Sequence, residues 1–232
     1  MTQALRRFAL VLLVAACSAA PSPLNSTPVS PNSTTTPTAT SAQLPTTEPD
    51  LTITPAQTEG PFYPPDKPLD RDSDLTVVEG APGPAGGEVL IIEGVLLFEN
   101  GDPVEGATVE IWQVDSQGIY LHPNSPNLEA RDQNFQGYGE ALADADGRWT
   151  FRTILPLSYE GRPRHIHVKV RLSGEEALTT QIYFEGDPLL AGDPFFAEGG
   201  EGAAELVIAP EGRTLANGEK VLHADHRIVL PF

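Results

Sequence analysis

The chain has 232 residues and a formal net charge of −18, from 14 Lys and Arg residues against 32 Asp and Glu residues. Its length fits one domain with accessory segments and allows a buried core, whereas the acidic excess argues against nucleic acid or an anionic membrane surface as a partner. The only cysteine is Cys17, which excludes an intramolecular disulfide.

The first 17 residues have the layout of an export signal. Arg6 and Arg7 precede an apolar run over residues 8–16, which is too short for a membrane span. The sequence LVAAC at residues 13–17 resembles a bacterial lipobox, in which the cysteine is acylated and becomes the first mature residue. We therefore expect an exported protein of the cell envelope or extracellular face, with membrane contact only through a lipid anchor at Cys17. The alternative is an ordinary signal peptide in which Cys17 is incidental.

Residues 18–57 are rich in Ser, Thr and Pro and contain few large apolar side chains. Such a segment cannot bury enough surface to offset the entropy lost on ordering. It is predicted to be a disordered tether, and the folded domain is predicted to span residues 58–232.

The folded part contains short apolar or alternating segments separated by turn signals, and no long stretch has a helical apolar period. A polar, irregular stretch over residues 124–136 predicts a long loop. Together these features predict an all-β fold, an antiparallel sandwich or barrel with long irregular loops. The predicted strands cover residues 89–98, 107–114, 148–154, 165–172, 179–184, 205–209 and 226–230.

The predicted strand at residues 165–172 carries an H-x-H pair. Side chains alternate between the two faces of a strand, so Ile166 and Val168 point into the core while His165 and His167 share the other face. Two imidazoles spaced in this way can reach one metal ion. Taken alone, however, the pair is better explained as two partly exposed histidines on a polar sheet face.

Two of the five tyrosines stand near this pair. Tyr159 lies in the loop that leads into the histidine strand, and Tyr120 follows the predicted strand at residues 107–114. Phenolate oxygen with imidazole nitrogen suits ferric iron better than zinc, which prefers thiolate and imidazole. Either tyrosine alone is better explained as an aromatic packed at a sheet edge.

Taken together, these segments resemble the intradiol ring-cleavage dioxygenases, the family of protocatechuate 3,4-dioxygenase and catechol 1,2-dioxygenase. The resemblance runs in the family's order over residues 57–231 and implies a prealbumin-like β-sandwich. Several motifs in register are more specific than any one of them. The matching sequences are TEGPFYP at 58–64, PVEGATVEIWQVDSQGIY at 103–120, DGRWTFRTI at 146–154, RPRHIH at 162–167 and TQIYF at 180–184.

The resemblance implies a ligand set for Fe(III). Tyr120 and His165 match the equatorial ligands, and Tyr159 and His167 match the axial ligands. A hydroxide is expected in the fifth position. A catechol-type substrate is then expected to bind as a dianion and to displace the hydroxide and Tyr159, each of which leaves with one substrate proton. Insertion of both atoms of O2 and cleavage between the two hydroxylated carbons give a cis,cis-muconate-type diacid.

Two further residues have roles by the same resemblance. Arg162 matches an arginine that stabilises negative charge developing on the ring, and Gln181 matches a residue of the same pocket. With Tyr159 they form the expected catalytic set. The expected partners are a small aromatic diol and O2.

A non-enzymatic exported prealbumin-like binding module is the alternative. Sequences such as GDPVEGATV at 101–109 also occur in such modules, which lack the set of two tyrosines and two histidines. Neither the preferred catechol nor an oligomeric state follows from the sequence.

Overall fold

A computed structural model describes residues 51–232 of the chain. Cys17, the predicted export signal and most of the predicted tether lie outside this range. In the part of the chain that the structure describes, no helix is both long enough and apolar enough to cross a membrane.

Residues 51–232 form two β-sheets, so the all-β expectation is confirmed. One sheet has the strand order β4-β1-β9-β8 and the other has the order β3-β2-β5-β6-β7. The strands are β1 (Val89–Phe98), β2 (Thr108–Trp112), β3 (Tyr138–Leu142), β4 (Arg148–Ile154), β5 (His165–Leu172), β6 (Glu175–Phe184), β7 (Val207–Ile208), β8 (Glu211–Thr214) and β9 (Lys220–Leu230). The helices are α1 (Pro194–Ala197) and three 3₁₀ segments, Leu128–Ala130, Leu190–Gly192 and Gly200–Leu206.

The main core lies between the two sheets. Alternate residues of β1, such as Leu90 and Ile92, meet alternate residues of β5, such as Ile166 and Val168, and all four are fully buried. This is the period-two pattern that the sequence predicts for β5. It leaves the opposite face of β5 for His165 and His167.

The sequence predicts antiparallel pairing throughout, but two pairs of strands are parallel. Strand β1 pairs with β9 in parallel, and β6 pairs with β7 in parallel. Both pairs join strands that are far apart in sequence, so no tight hairpin sets their direction. The remaining neighbours pair antiparallel.

The start of the folded region also differs from the expectation. Residues 51–57, assigned to the tether, lie against the domain, and Thr54 and Gln57 are buried. The amide of Thr54 donates to the carbonyl of Val229 at 3.0 Å, and the amide of Gln57 donates to the carbonyl of Thr179 at 2.8 Å. Composition missed this because hydrogen bonds of the backbone and of the Thr54 and Gln57 side chains, and not apolar side chains, hold the segment.

Candidate metal centre and active site

His165 and His167 lie on the middle strand of the larger sheet, β5, between β2 and β6. Both side chains are buried, at 1% and 2% exposure. The interpretation favoured for the H-x-H pair alone, two partly exposed histidines on a polar sheet face, is therefore wrong. Trp112 stacks on the His167 ring, with the ring centroids 4.7 Å apart and an angle of 9° between the ring planes. Gly60 passes over the same ring with a φ of +72°, and a Cβ at this position would lie 3.3 Å from His167 Cε1.

The ring of His165 is fixed in one tautomer by the backbone. Its Nδ1 lies 2.8 Å from the carbonyl oxygen of Pro163, to which it donates. The lone pair therefore resides on Nε2, which lies 3.2 Å from the hydroxyl of Tyr120. This carbonyl contact is the kind that orients imidazole ligands in metal sites.

Both imidazoles are neutral at ordinary pH. Burial and the nearby Arg162 charge lower the pKa of His165 to about 4. Burial, with His165 and Arg162 nearby, lowers the pKa of His167 well below its usual value. Neutral imidazole is the form that binds metal ions.

Tyr120 is positioned by a turn that follows β2. The buried carboxylate of Asp115 accepts hydrogen bonds from the amides of Gln117 and Ile119, at 2.8 and 3.0 Å. Gly118 completes the turn with a φ of +82°, which favours glycine. The Tyr120 ring then stacks on Phe62, with the centroids 4.7 Å apart.

Tyr159 begins a tight turn that leads into β5. The amide of Arg162 donates to the carbonyl of Tyr159 at 2.8 Å, and the two intervening residues, Glu160 and Gly161, have φ values of 48° and 79°. Two consecutive left-handed residues are typical of a type I′ turn. Tyr159 is half-buried, whereas Tyr120 is buried.

The four rings named by the sequence meet at one place. The Tyr120 ring centroid lies 5.2 Å from that of Tyr159 and 6.0 Å from that of His167. The His165 centroid lies 5.4 Å from that of Tyr159 and 4.9 Å from that of His167. Two phenol rings and two imidazoles, separated by up to 47 residues along the chain, therefore form one cluster, in which three rings are buried and Tyr159 is half-buried.

The phenols are costly to ionise in the protein alone. Burial, with Tyr159 nearby, raises the pKa of Tyr120 well above its usual value. Burial likewise raises the pKa of Tyr159, although Tyr120 and Arg162 act in the opposite direction. A bound trivalent cation would offset this cost, since nearby positive charge favours the phenolate.

Arg162 borders the cluster and is held by a buried carboxylate. Its Nε donates to Asp193 Oδ2 at 2.8 Å and its Nη2 donates to Asp193 Oδ1 at 3.2 Å, while its Nη1 lies 3.4 Å from His165 Nε2. The Phe195 ring packs 4.5 Å from the guanidinium carbon. Burial disfavours the Arg162 charge, but the interactions with Asp193 and Tyr183 together outweigh it and the pKa of Arg162 is raised.

Gln181 lies behind Arg162, next to His167 in the strand register. Its side-chain oxygen accepts from Arg162 Nη2 at 3.2 Å, and its amide nitrogen donates to the carbonyl of Thr58 at 3.1 Å. The hydroxyl of Tyr183 accepts from the same Arg162 nitrogen at 3.2 Å. Gln181 thus orients the guanidinium and does not line the cavity described next.

A cavity of about 410 Å³ opens beside the two phenols. Its wall comes from the turn before Tyr120, the loop that follows Tyr120 and the turn at Tyr159. The lining residues are Phe62, Gln117, Gly118, Ile119, Tyr120, Ser125, Pro126, Asn127, Ala130, Tyr159 and Glu160. The cavity gives a small planar molecule access to the phenol side of the cluster.

Sequence reasoning missed Asp193. It lies between two short helical segments in a loop with no strand pattern, and no motif distinguishes it. Its one local signal is the sequence Asp193-Pro194, typical of a helix N-cap. The side chain does accept from the amide of Phe196 at 2.8 Å, but the same carboxylate also holds Arg162.

A second group of potential metal ligands lies on the smaller sheet. Atoms of Glu93, His223 and Asp225 lie within 4.8 Å of one another, and no ion is bound there. His223 Nε2 lies 3.0 Å from a Glu93 oxygen, and both carboxylates are exposed. An ordinary surface ion pair or hydrogen bond explains this group.

Comparison with known proteins gives a family match over most of the chain. The family model described as "Dioxygenase" matches residues 58–231. The protocatechuate 3,4-dioxygenase beta chain of Burkholderia cepacia is 39% identical over 152 residues, which are 61% of this chain and 63% of that protein. Catechol 1,2-dioxygenase 1 of Acinetobacter lwoffii is 32% identical over 126 residues, 47% of this chain and 40% of that protein. The chain therefore spans about half the length of these curated relatives.

Solved structures give the same picture. The dioxygenase domain of a dioxygenase carbohydrate-binding protein fusion from Streptomyces sp. SirexAA-E is 31% identical, with a TM-score of 0.58 over 78% of this chain and 99% of that chain. The 3-chlorocatechol 1,2-dioxygenase of Rhodococcus opacus 1CP, at 24% identity, shares the fold with a TM-score of 0.60 over 77% of this chain and 72% of that chain.

The buried pair between Asp193 and Arg162 yields a stability prediction. Asp193→Asn leaves the guanidinium without its carboxylate, and the side chains are only 2% and 16% exposed. We expect the free energy of unfolding in urea at neutral pH to fall by roughly 3 kcal/mol. Glu205→Gln is the matched control, since it breaks the exposed pair with Arg227 and is expected to cost about 1 kcal/mol or less. An equal loss of unfolding free energy in the two variants would contradict the assignment of Asp193 and Arg162 as a buried, stabilising ion pair.

The same pair sets a pH dependence. Burial raises the pKa of Asp193, but Arg162 and the Phe196 amide together outweigh burial, so that the pKa lies below its usual value in the folded protein. Its contribution is complete above the unfolded carboxyl pKa of about 3.9 and is lost as pH falls through the folded value. The stability difference between wild type and Asp193→Asn should be constant from about pH 5 to 8 and shrink below about pH 4.

Proposed function

This chain belongs to the intradiol ring-cleavage dioxygenase family, and from this we propose that it is an Fe(III)-dependent enzyme that opens catechol-type rings. It inserts both atoms of O2 and cleaves between the two hydroxylated carbons, giving a cis,cis-muconate-type diacid. The observation that carries the proposal is the meeting of two phenols and two imidazoles beside a cavity of about 410 Å³. The alternative, a non-enzymatic binding module, is not favoured, because the relatives named above are dioxygenases.

The donor set fits ferric iron. Tyr120, Tyr159, His165 and His167 would hold the ion, with two hard phenolate oxygens and two neutral imidazoles. Ferric iron bound there would supply Lewis acidity, which would stabilise a catecholate and draw electron density from its ring. His165 is ready to bind, because its Nδ1–H is already committed to the Pro163 carbonyl.

The chain's own residues divide the remaining tasks. Tyr159 is the more exposed phenol and begins a surface turn, so it is the one able to move aside and accept a substrate proton. Arg162 brings a fixed positive charge to the edge of the cluster and stabilises negative charge that develops on the ring. Gln181 and Asp193 keep that guanidinium in place.

We also infer that the protein is exported and attached to a membrane by an acyl group on Cys17, as the lipobox-like sequence at residues 13–17 indicates. The full chain expressed in a bacterium should incorporate labelled palmitate and sediment with membranes. Cys17→Ser should lose both properties, whereas Ser18→Ala should keep them. A wild-type protein that is unlabelled and soluble would contradict this inference.

The enzymatic proposal has a direct test. The purified chain loaded with Fe(III) should hold about one ion, absorb visible light through phenolate-to-iron charge transfer and consume O2 when catechol is added. Catechol, protocatechuate, hydroxyquinol and a halogenated catechol form the first substrate set. A protein that stays colourless and inactive after iron loading would rule the proposal out.

Ligand roles can be separated by substitution. Tyr159→Phe should keep iron but turn over at least tenfold more slowly, because the phenolate that takes a substrate proton is gone. His167→Ala should lose iron, since one of four protein ligands is removed. Tyr138→Phe is the control, because its hydroxyl contacts Glu140 and no residue of the cluster. Full iron and full rate in both test variants would show that the ligand assignment is wrong.

A further inference from the structure

The wall of the cavity beside Tyr120 and Tyr159 bears one negatively charged side chain and no positively charged one. Glu160 is the one carboxylate on its wall, and none of the lining residues is Lys, Arg or His. Apart from the two phenols, the wall is apolar or bears neutral polar groups, as at Ile119 and Asn127. A molecule in this cavity therefore meets negative charge from the protein wall.

The backbone of Glu160 is held in a turn, and its side-chain charge is not neutralised. It is the first left-handed residue of the turn that Arg162 closes on Tyr159, with a φ of 48°. Within residues 51–232, its carboxylate makes no ion pair and no hydrogen bond. The turn thus places an exposed carboxylate without a partner on the wall of the cavity.

Glu160 shares the cavity wall with both phenols. It directly follows Tyr159 in the chain, and it lines the same cavity as Tyr120 and Tyr159. A substituent on a ring bound in this cavity would therefore feel the field of its carboxylate.

Arg162 acts on the cluster from outside this cavity. Its guanidinium is bound by two hydrogen bonds to the buried carboxylate of Asp193, which offsets part of its charge. Arg162 lines a neighbouring cavity and not the one beside the phenols. Glu160 is therefore the one charged side chain on the wall of the phenol cavity.

We propose that Glu160 determines substrate specificity, favouring catechols whose ring substituent is uncharged or cationic over catechols that carry a carboxylate. The inference rests on the proposed function, because it concerns the substrate of the same site. Two like charges about 6 Å apart, one of them exposed to solvent, repel by an amount equivalent to roughly threefold in binding. The effect acts through charge alone, so an isosteric neutral residue should remove it.

The experiment uses three catechols substituted at the same ring position. These are 3,4-dihydroxybenzoate, 4-methylcatechol and 3,4-dihydroxybenzylamine, with negative, neutral and positive substituents. Oxygen uptake by the full iron-loaded chain gives kcat/KM for each substrate. Comparing ratios between variants removes the differences in intrinsic ring reactivity.

In wild type, we expect kcat/KM to be lowest for the carboxylated ring. Glu160→Gln should raise the ratio of the carboxylated to the neutral substrate at least threefold and lower the ratio of the cationic to the neutral one. Glu160→Lys should shift both ratios further, and added salt should weaken the wild-type discrimination. Glu105→Gln removes an equal charge from the exposed turn between β1 and β2 and should change neither ratio.

The outcomes separate the two claims. Activity on 4-methylcatechol, with ratios that do not change in Glu160→Gln and Glu160→Lys, would overturn the role of Glu160 and leave the proposed function standing. No oxygen uptake by wild type with any of the three substrates would overturn the proposed function and this inference together.

Discussion

The candidate site depends on the alternation of side chains along β5. One face of the strand carries Ile166, Val168 and Val170 into the core between the sheets, and the other carries His165 and His167. Because β5 lies between β2 and β6, neither histidine can turn towards the core without moving apolar residues out of it. The core packing therefore fixes the direction in which both imidazoles point, before any metal is considered.

That outer face is kept dry by the chain segment before β1, which ion pairs fasten to the sheet. Glu110, at 1% exposure, forms ion pairs with Lys67 and Arg171. Lys169, at 2% exposure, forms ion pairs with Glu59 and Glu176. Each buried charge is costly without its partners, so the network specifies where the segment lies more than it adds stability. As a result, water is excluded from the neutral imidazoles and the buried phenol and does not compete with them for a metal ion.

Much of the architecture could be predicted from the sequence. Strands β1, β4 and β5 have the predicted bounds, because they are long, apolar or strictly alternating. Strands β3 and β8 were not predicted, since YGEAL and EGRT offer few apolar residues and gain their order from neighbouring strands. The convergence of the four proposed ligands followed from motifs, but Asp193 and Glu160 act through tertiary placement that no local pattern encodes.

The central claim is that Tyr120, Tyr159, His165 and His167 share one ion. A crystal structure of the iron-loaded protein, with anomalous differences recorded at the iron absorption edge, tests it directly. The account predicts a single strong peak within bonding distance of two phenol oxygens and two imidazole nitrogens. A peak at Glu93, His223 and Asp225 instead, or no peak among the four rings, would contradict it.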